Sequence, residues 1–149
     1  MNLEIRRAET SDIPGLALLL EQLFAIEADF DFDEKLQEKG LAMMLGSTGN
    51  RCVMAARIGG QIAGMCTAQL VVSTAEGGLS ALVEDLVVDE CYRGQGVGSR
   101  LLEAVEKWCV ENGAKRIQLL ADATNEKGLE FYRKKNWNRT KMICLRKTK

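Results

Sequence analysis

VEDLVVDECYRGQGVGS, residues 83–99, passes from one periodicity to another within seventeen positions. Its first half is β-branched and apolar, interrupted by Glu84 and Asp85, the composition of a largely buried strand. Its second half, Arg93-Gly94-Gln95-Gly96-Val97-Gly98-Ser99, opens a segment in which Leu101, Leu102, Val105, Trp108 and Cys109 share one helical face. A glycine-rich turn between a strand and a helix converges backbone N–H groups at the positive end of the helix dipole. Glycine lets an anion's oxygens approach that backbone, and Arg93 can add a charge-assisted contact. The stretch therefore predicts an anion site set in alternating strands and helices.

Working outward, LEIRR (3–7) alternates as a short strand. Thr10, Ser11 and Asp12 offer caps, and Pro14 suits the first turn of a helix predicted over Ile13–Ala28. Leu16, Leu19, Leu20, Leu23, Phe24 and Ile26 give that helix a broad apolar stripe, read as core packing. A second helix should run to about Leu45, capped by Asp33. RCVMAARI (51–58) and QIAGMCTAQLVVS (61–73) flank Gly59-Gly60, the sign of a tight antiparallel hairpin. A loop at 73–80 leads to a strand predicted over Ser80–Glu90. The glycine turn then opens a helix over Gly98–Asn112, ended by Gly113. A strand over Lys115–Ala121, a helix over Glu126–Lys135 and a last strand, KMICLRK (141–147), complete the pattern. The expected fold is mixed α/β, order β-α-α-β-β-β-α-β-α-β-β, a mostly antiparallel sheet flanked by helices in one domain over 1–149.

Charge narrows the function. With 20 basic and 21 acidic residues the net charge is −1, which gives no general attraction to nucleic acid or an anionic membrane. A charged amino terminus and the lack of a long apolar run predict neither a signal peptide nor a membrane span, hence a cytoplasmic protein. The five cysteines, Cys52, Cys66, Cys91, Cys109 and Cys144, are scattered and expected reduced and mostly buried. With no histidine and no C-x-x-C pair, no metal site is expected, and proton transfer must use Asp, Glu, Tyr, Cys or Lys.

The turn fits some phosphate motifs poorly. A Walker loop needs Lys then Ser/Thr after the last glycine, and a dinucleotide turn needs G-x-G-x-x-G at the start of a parallel βαβ unit. R-G-Q-G-V-G instead resembles the Q/R-x-x-G-x-G/A signature of the GNAT acetyltransferase superfamily. NEKGLEFYRKKNW (125–137) resembles that family's downstream block. The E-D, Y-R-G and N-x-x-x-x-x-F-Y pattern looks most like the diamine and thialysine acetyltransferase branch. Asn136-Trp137 departs from the family's usual Gly-Phe.

The resemblance implies acetyl transfer from acetyl-CoA to an amine, by direct attack in a ternary complex. It implies that Arg93, Gly94, Gln95, Gly96, Val97, Gly98 and Ser99 grip the pyrophosphate. Backbone groups of Leu86, Val87 and Val88 would pair with the pantetheine arm on a bulged strand, and Asn125 and Lys127 would touch the coenzyme. An alkylamine of pKa about 10.4 needs roughly 4 kcal/mol to expose its lone pair at neutral pH. Glu84, breaking an apolar strand beside the turn, is the expected base. Asp85 is next in line and would contact the acceptor, although simple alternation sends it to the opposite face. Tyr132 reads as a core aromatic beside Phe131 on pattern alone; the resemblance makes it the proton donor to the departing thiolate.

Glu27, Asp29, Asp31, Asp33 and Glu34 crowd the connection between the first two helices. In such a fold this connection borders the acceptor, and Glu27, Asp29 and Asp31 would favour a small cationic amine. A solvated, helix-capping loop remains open. So do transfer to a protein or peptide amine and a non-catalytic acyl-CoA-binding module. The resemblance also implies a homodimer.

Overall fold

A computed structural model describes residues 1–27, 29–46 and 49–149. Five strands form one sheet in the order β1 (Leu3–Arg7), β2 (Arg51–Ile58), β3 (Gln61–Ser73), β4 (Gly78–Val88) and β5 (Ala114–Leu119). The first four are joined antiparallel. Gly59 and Gly60, with φ of 59° and 80°, make the tight β2–β3 turn that their sequence predicts. The next hairpin reaches further than expected: β3 runs to Ser73 and β4 begins at Gly78, so the loop shrinks to four residues. Arg116 pairs with Glu76 at 3.2 Å and the Lys115 stem lies over Gly78. The start of β5 thus lies beside the start of β4, as a β-α-β crossover requires.

The chain forms two compact units, Met1–Gln118 and Leu119–Lys149. In the first unit, α1 (Ile13–Ile26) and α2 (Glu34–Gly46) cover one sheet face. Leu16, Leu20 and Leu23 of α1 and Leu41 of α2 pack there with Val53, Ala55, Met65 and Val87. The predicted end of the first helix, Ala28, lies outside the described residues. The other face is covered by α3 (Val97–Glu111), which buries Val97, Leu101, Leu102, Val105, Trp108 and Cys109. Gly64 lets α3 approach closely: a Cβ there would stand 2.9 Å from Leu101 and 3.1 Å from the Val87 carbonyl.

Asp33 caps α2 as predicted, its Oδ1 accepting the N–H groups of Lys35 at 3.2 Å and Leu36 at 3.4 Å. Asp12 does something else. Rather than capping α1, its buried carboxylate accepts from Arg6 at 2.9 Å, Arg57 at 3.2 Å and the Glu9 N–H at 2.8 Å. Burial alone would raise its pKa; the Arg6 hydrogen bond, the Glu9 N–H and the two arginine charges hold it below the ordinary value.

In the second unit, α4 (Glu126–Lys134) is capped by Asn125, which accepts the Gly128 N–H at 3.1 Å. Arg133 and Lys134 complement its carboxyl end. Asn136 ends the turn at φ 67°, the left-handed conformation that lets asparagine replace a glycine. KMICLRK is not a strand, and the two carboxyl-terminal strands of the expected order are absent. Met142, Ile143 and Leu145 are exposed. A strand has no local hydrogen bonds of its own and forms only against a neighbour's ladder, which a run of four apolar residues cannot supply.

The five cysteines are free thiols; Cys52, Cys66 and Cys109 are buried, whereas Cys91 and Cys144 are exposed. Cys144 is exposed because its strand does not form, and Cys91 because it lies in the turn after β4.

Candidate functional site

At the end of β4 the chain is tied down before it turns. The Asp89 N–H bonds the Ala63 carbonyl at 2.8 Å, and Asp89 Oδ1 accepts the Cys91 N–H at 2.8 Å, shaping a 3-10 turn over Glu90–Tyr92. The Cys91 N–H first, then a Gln22 hydrogen bond and the Arg93 charge, hold the Asp89 carboxyl below its ordinary pKa. Arg93, Gly94, Gln95 and Gly96 then lie exposed, while Val97 is buried and Gly98 and Ser99 are partly buried. Gly94 and Gly96 have φ of 75° and 84°, and an added Cβ at either would meet nothing within 4 Å. Glycine is needed here for conformation, and open space lies against the backbone.

Gly96 begins α3, and no side chain caps it. The N–H groups of Val97, Gly98 and Ser99 have no partner inside the helix, so they point with the dipole at whatever occupies that space. Arg93 also braces the turn, its Nε donating to the Val88 carbonyl at 2.9 Å and a terminal nitrogen to Gln22 Oε1 at 3.4 Å. Gln22, on α1, was not legible as a site residue: it is one polar position beside an apolar stripe.

Register on β3–β4 is constant from the Ser73–Gly78 pair to the Thr67–Glu84 pair, then moves by one residue to Met65–Val87. Cys66 thus faces both Asp85 and Leu86, a β-bulge on β4, and Asp85 takes φ of 54°. The bulge overturns the simple alternation expected for Glu84 and Asp85. Glu84 is exposed opposite the buried Thr67, and partly buried Asp85 reaches the same Thr67, with Oδ2 3.5 Å from its Oγ1. Thr67 Oγ1 also donates to the Glu84 carbonyl at 3.0 Å.

Burial first, then the charges of Glu84 and Glu27, push the Asp85 carboxyl up to about 6, against the pull of Thr67. Glu27, just past the end of α1, is therefore near enough to act on the bulge. Leu86, Val87 and Val88 follow on β4. β4 and β5 are neighbours in the sheet, and their starts meet through Glu76 and Gly78.

Of the other sequence candidates in the first unit, Asp29 and Asp31 are exposed and Asp33 is engaged as a cap. In the second unit, Asn125 spends its Oδ1 on the α4 cap and Lys127 is exposed. Tyr132 is partly buried between Phe131 and Trp137, with ring centroids at 5.3 and 6.1 Å. No group of three His, Cys, Asp or Glu suited to a metal ion occurs among the described residues. No helix among them is long and apolar enough to cross a membrane.

The model of the acetyltransferase (GNAT) family matches residues 17–137. An uncharacterized N-acetyltransferase of Archaeoglobus fulgidus is 26% identical over 131 residues, covering 87% of this chain and 89% of the relative. Among solved structures, a transcriptional regulator from Bacillus halodurans superposes with a TM-score of 0.86 at 20% identity, over 99% of both chains. An aminoglycoside acetyltransferase from an uncultured soil metagenomic sample, in complex with trehalose, gives a TM-score of 0.80 at 25% identity, over 98% of this chain and 95% of that one.

Proposed function

The chain belongs to the GNAT acetyltransferase family and is an acetyl-CoA-dependent N-acetyltransferase; from that premise we propose that its acceptor is a small cationic amine, attacked directly in a ternary complex formed by one domain. Acetyl-CoA supplies the acetyl group as an activated thioester. The turn that would hold its pyrophosphate fits: two left-handed glycines with open space beside them and an uncapped helix amino terminus. The bulge on β4 supports a place for the pantetheine arm along Leu86, Val87 and Val88, whose backbone can pair with it like an added strand.

The acceptor must lose a proton. Glu84, exposed at the bulge, is suited to meet the incoming ammonium. Asp85, behind it, has the pKa near 6 that suits a carboxylate to take a proton close to neutrality. The two residues thereby exchange the roles their sequence positions suggest. Tyr132 is carried by the family resemblance as donor to the departing thiolate. Direct transfer is supported by the thiols: burial raises Cys66, takes Cys52 to about 11 and Cys109 to about 12, and the Asp89 hydrogen bond raises Cys91, so their nucleophilic thiolates are scarce.

The observation that carries the cationic acceptor is the gathering of Glu27, Glu84 and Asp85 at one bulge, with Asp29 and Asp31 exposed on the connection after Glu27. The test is coenzyme release, read with a thiol reagent, over polyamines, basic aminoglycosides, lysine analogues and neutral amines. Polyamines or lysine analogues should give the lowest KM, rising with salt and with the double change Asp29→Asn, Asp31→Asn. Preference for neutral or acidic amines would refute the substrate class. The homodimer implied by the resemblance and the cytoplasmic location expected from the charged amino terminus belong to the same proposal; sedimentation would settle the first.

A further inference from the structure

We propose that Gln22 is a positioning residue for the coenzyme turn, holding Arg93 and the turn's first residues against the core. The carboxamide uses both ends. Nε2 donates to Asp89 Oδ2 at 3.1 Å, and Oε1 accepts the Glu90 N–H at 3.1 Å and Arg93 at 3.4 Å. One side chain of α1 thus contacts three residues of a turn 67 to 71 positions away in sequence.

The anchor is firm because neighbouring residues of α1, Leu19, Leu20 and Leu23, are buried in the core. What it holds is otherwise pliable. From Arg93 to Gly96 the chain is exposed and passes two left-handed glycines, and the other described hydrogen bond of Arg93 goes to the Val88 carbonyl. A glycine turn that must be ordered on binding loses affinity to conformational entropy; a brace that orders it beforehand restores that affinity. Gln22 touches neither the acceptor-side bulge nor the open space beside Gly94 and Gly96 in any described contact, so its effect should fall on coenzyme binding.

This inference rests on the reading that the turn holds the coenzyme's pyrophosphate. Calorimetry of acetyl-CoA binding, with steady-state kinetics and thermal unfolding, tests it. Gln22→Ala should raise the acetyl-CoA Kd and KM on the order of tenfold. The kcat at saturation and the acceptor KM should stay within about twofold, and Tm within about 3 °C. Gln22→Glu sets a carboxylate against Asp89 and should weaken binding too. Combining Gln22→Glu with Asp89→Asn exchanges donor and acceptor across the same contact and should recover the parent Kd to within about threefold. Parent-like Kd in Gln22→Ala, a loss that tracks Tm, or a combined variant no better than Gln22→Glu would overturn the bracket. A parent that fails to bind acetyl-CoA would instead refute the coenzyme reading beneath it.

Discussion

Asp85→Asn should make the protein more stable and less active, and the stability gain should depend on pH. The Asp85 carboxyl stands at about 6 in the folded chain against an ordinary 3.8. At 1.36 kcal/mol per tenfold, that difference is about 3 kcal/mol. A carboxyl whose folded pKa exceeds its unfolded value binds its proton more tightly when folded. Ionised Asp85 therefore destabilises the fold by the full amount above about pH 6, by a cost that shrinks as pH falls between 6 and 3.8, and by almost nothing below. Asparagine carries no charge to desolvate and tolerates the left-handed φ of 54°. Urea unfolding should show a gain of about 3 kcal/mol at pH 7.5 that falls to about 0.5 kcal/mol at pH 4. Turnover at pH 7.5 should drop on the order of 100-fold, the range a general base supplies. A gain independent of pH, a loss of stability at pH 7.5, or parent-like turnover would each refute the argument.

Glu84→Gln removes a charge that raises Asp85, so the acidic limb of the pH–rate profile should move to lower pH with the plateau kcat kept within about tenfold. Loss of the plateau would make Glu84 the base. Gly96→Asp should weaken acetyl-CoA binding by at least tenfold in calorimetry, because it adds charge and left-handed strain of about 1–2 kcal/mol at φ 84°, while circular dichroism stays unchanged. Asp12→Asn strips the partner from Arg6 and Arg57, both partly exposed, and should cost about 2–3 kcal/mol at pH 7 in urea unfolding. Because the Asp12 pKa is lowered, that carboxylate's contribution is present above 3.8 and lost as pH falls through its folded value, so parent and variant should converge in acid.

Local chemistry made most of the fold legible. Gly59-Gly60 could only be a tight turn, Pro14 marked a helix's first turn, and Asp33 was a cap in sequence and is one in the structure. The errors share a physical origin in pairing that no local signal carries. KMICLRK has a strand's composition, but a strand depends on a neighbour, and the apolar residues stay exposed without one. Asp12 had the type and position of a helix cap, yet Arg6 and Arg57, placed beside it by β1 and β2, offered a charge-assisted alternative stronger than one N–H.

The candidate site divides the same way. Gly94 and Gly96 were readable because only a conformational demand explains glycines at that spacing, and both have positive φ. The pairing of Glu84 with Asp85 was not, because a bulge is a property of two strands: the extra residue appears only when β4 is counted against β3, between the Thr67 and Met65 pairs. Without the bulge, alternation would turn Asp85 away from Glu84 and Thr67. With it, the Glu84 carbonyl and the Asp85 carboxylate meet one threonine, and Glu27 adds its charge from beyond α1. Gln22 is further from sequence, since its role depends on α1 crossing the end of β4. A polar residue beside a helix's apolar stripe predicts solvent, and only the packed core decides that its carboxamide meets Asp89, Glu90 and Arg93 instead. The residues proposed for proton uptake at the bulge and for bracing the turn are thus those whose partners lie 17 to 71 positions away.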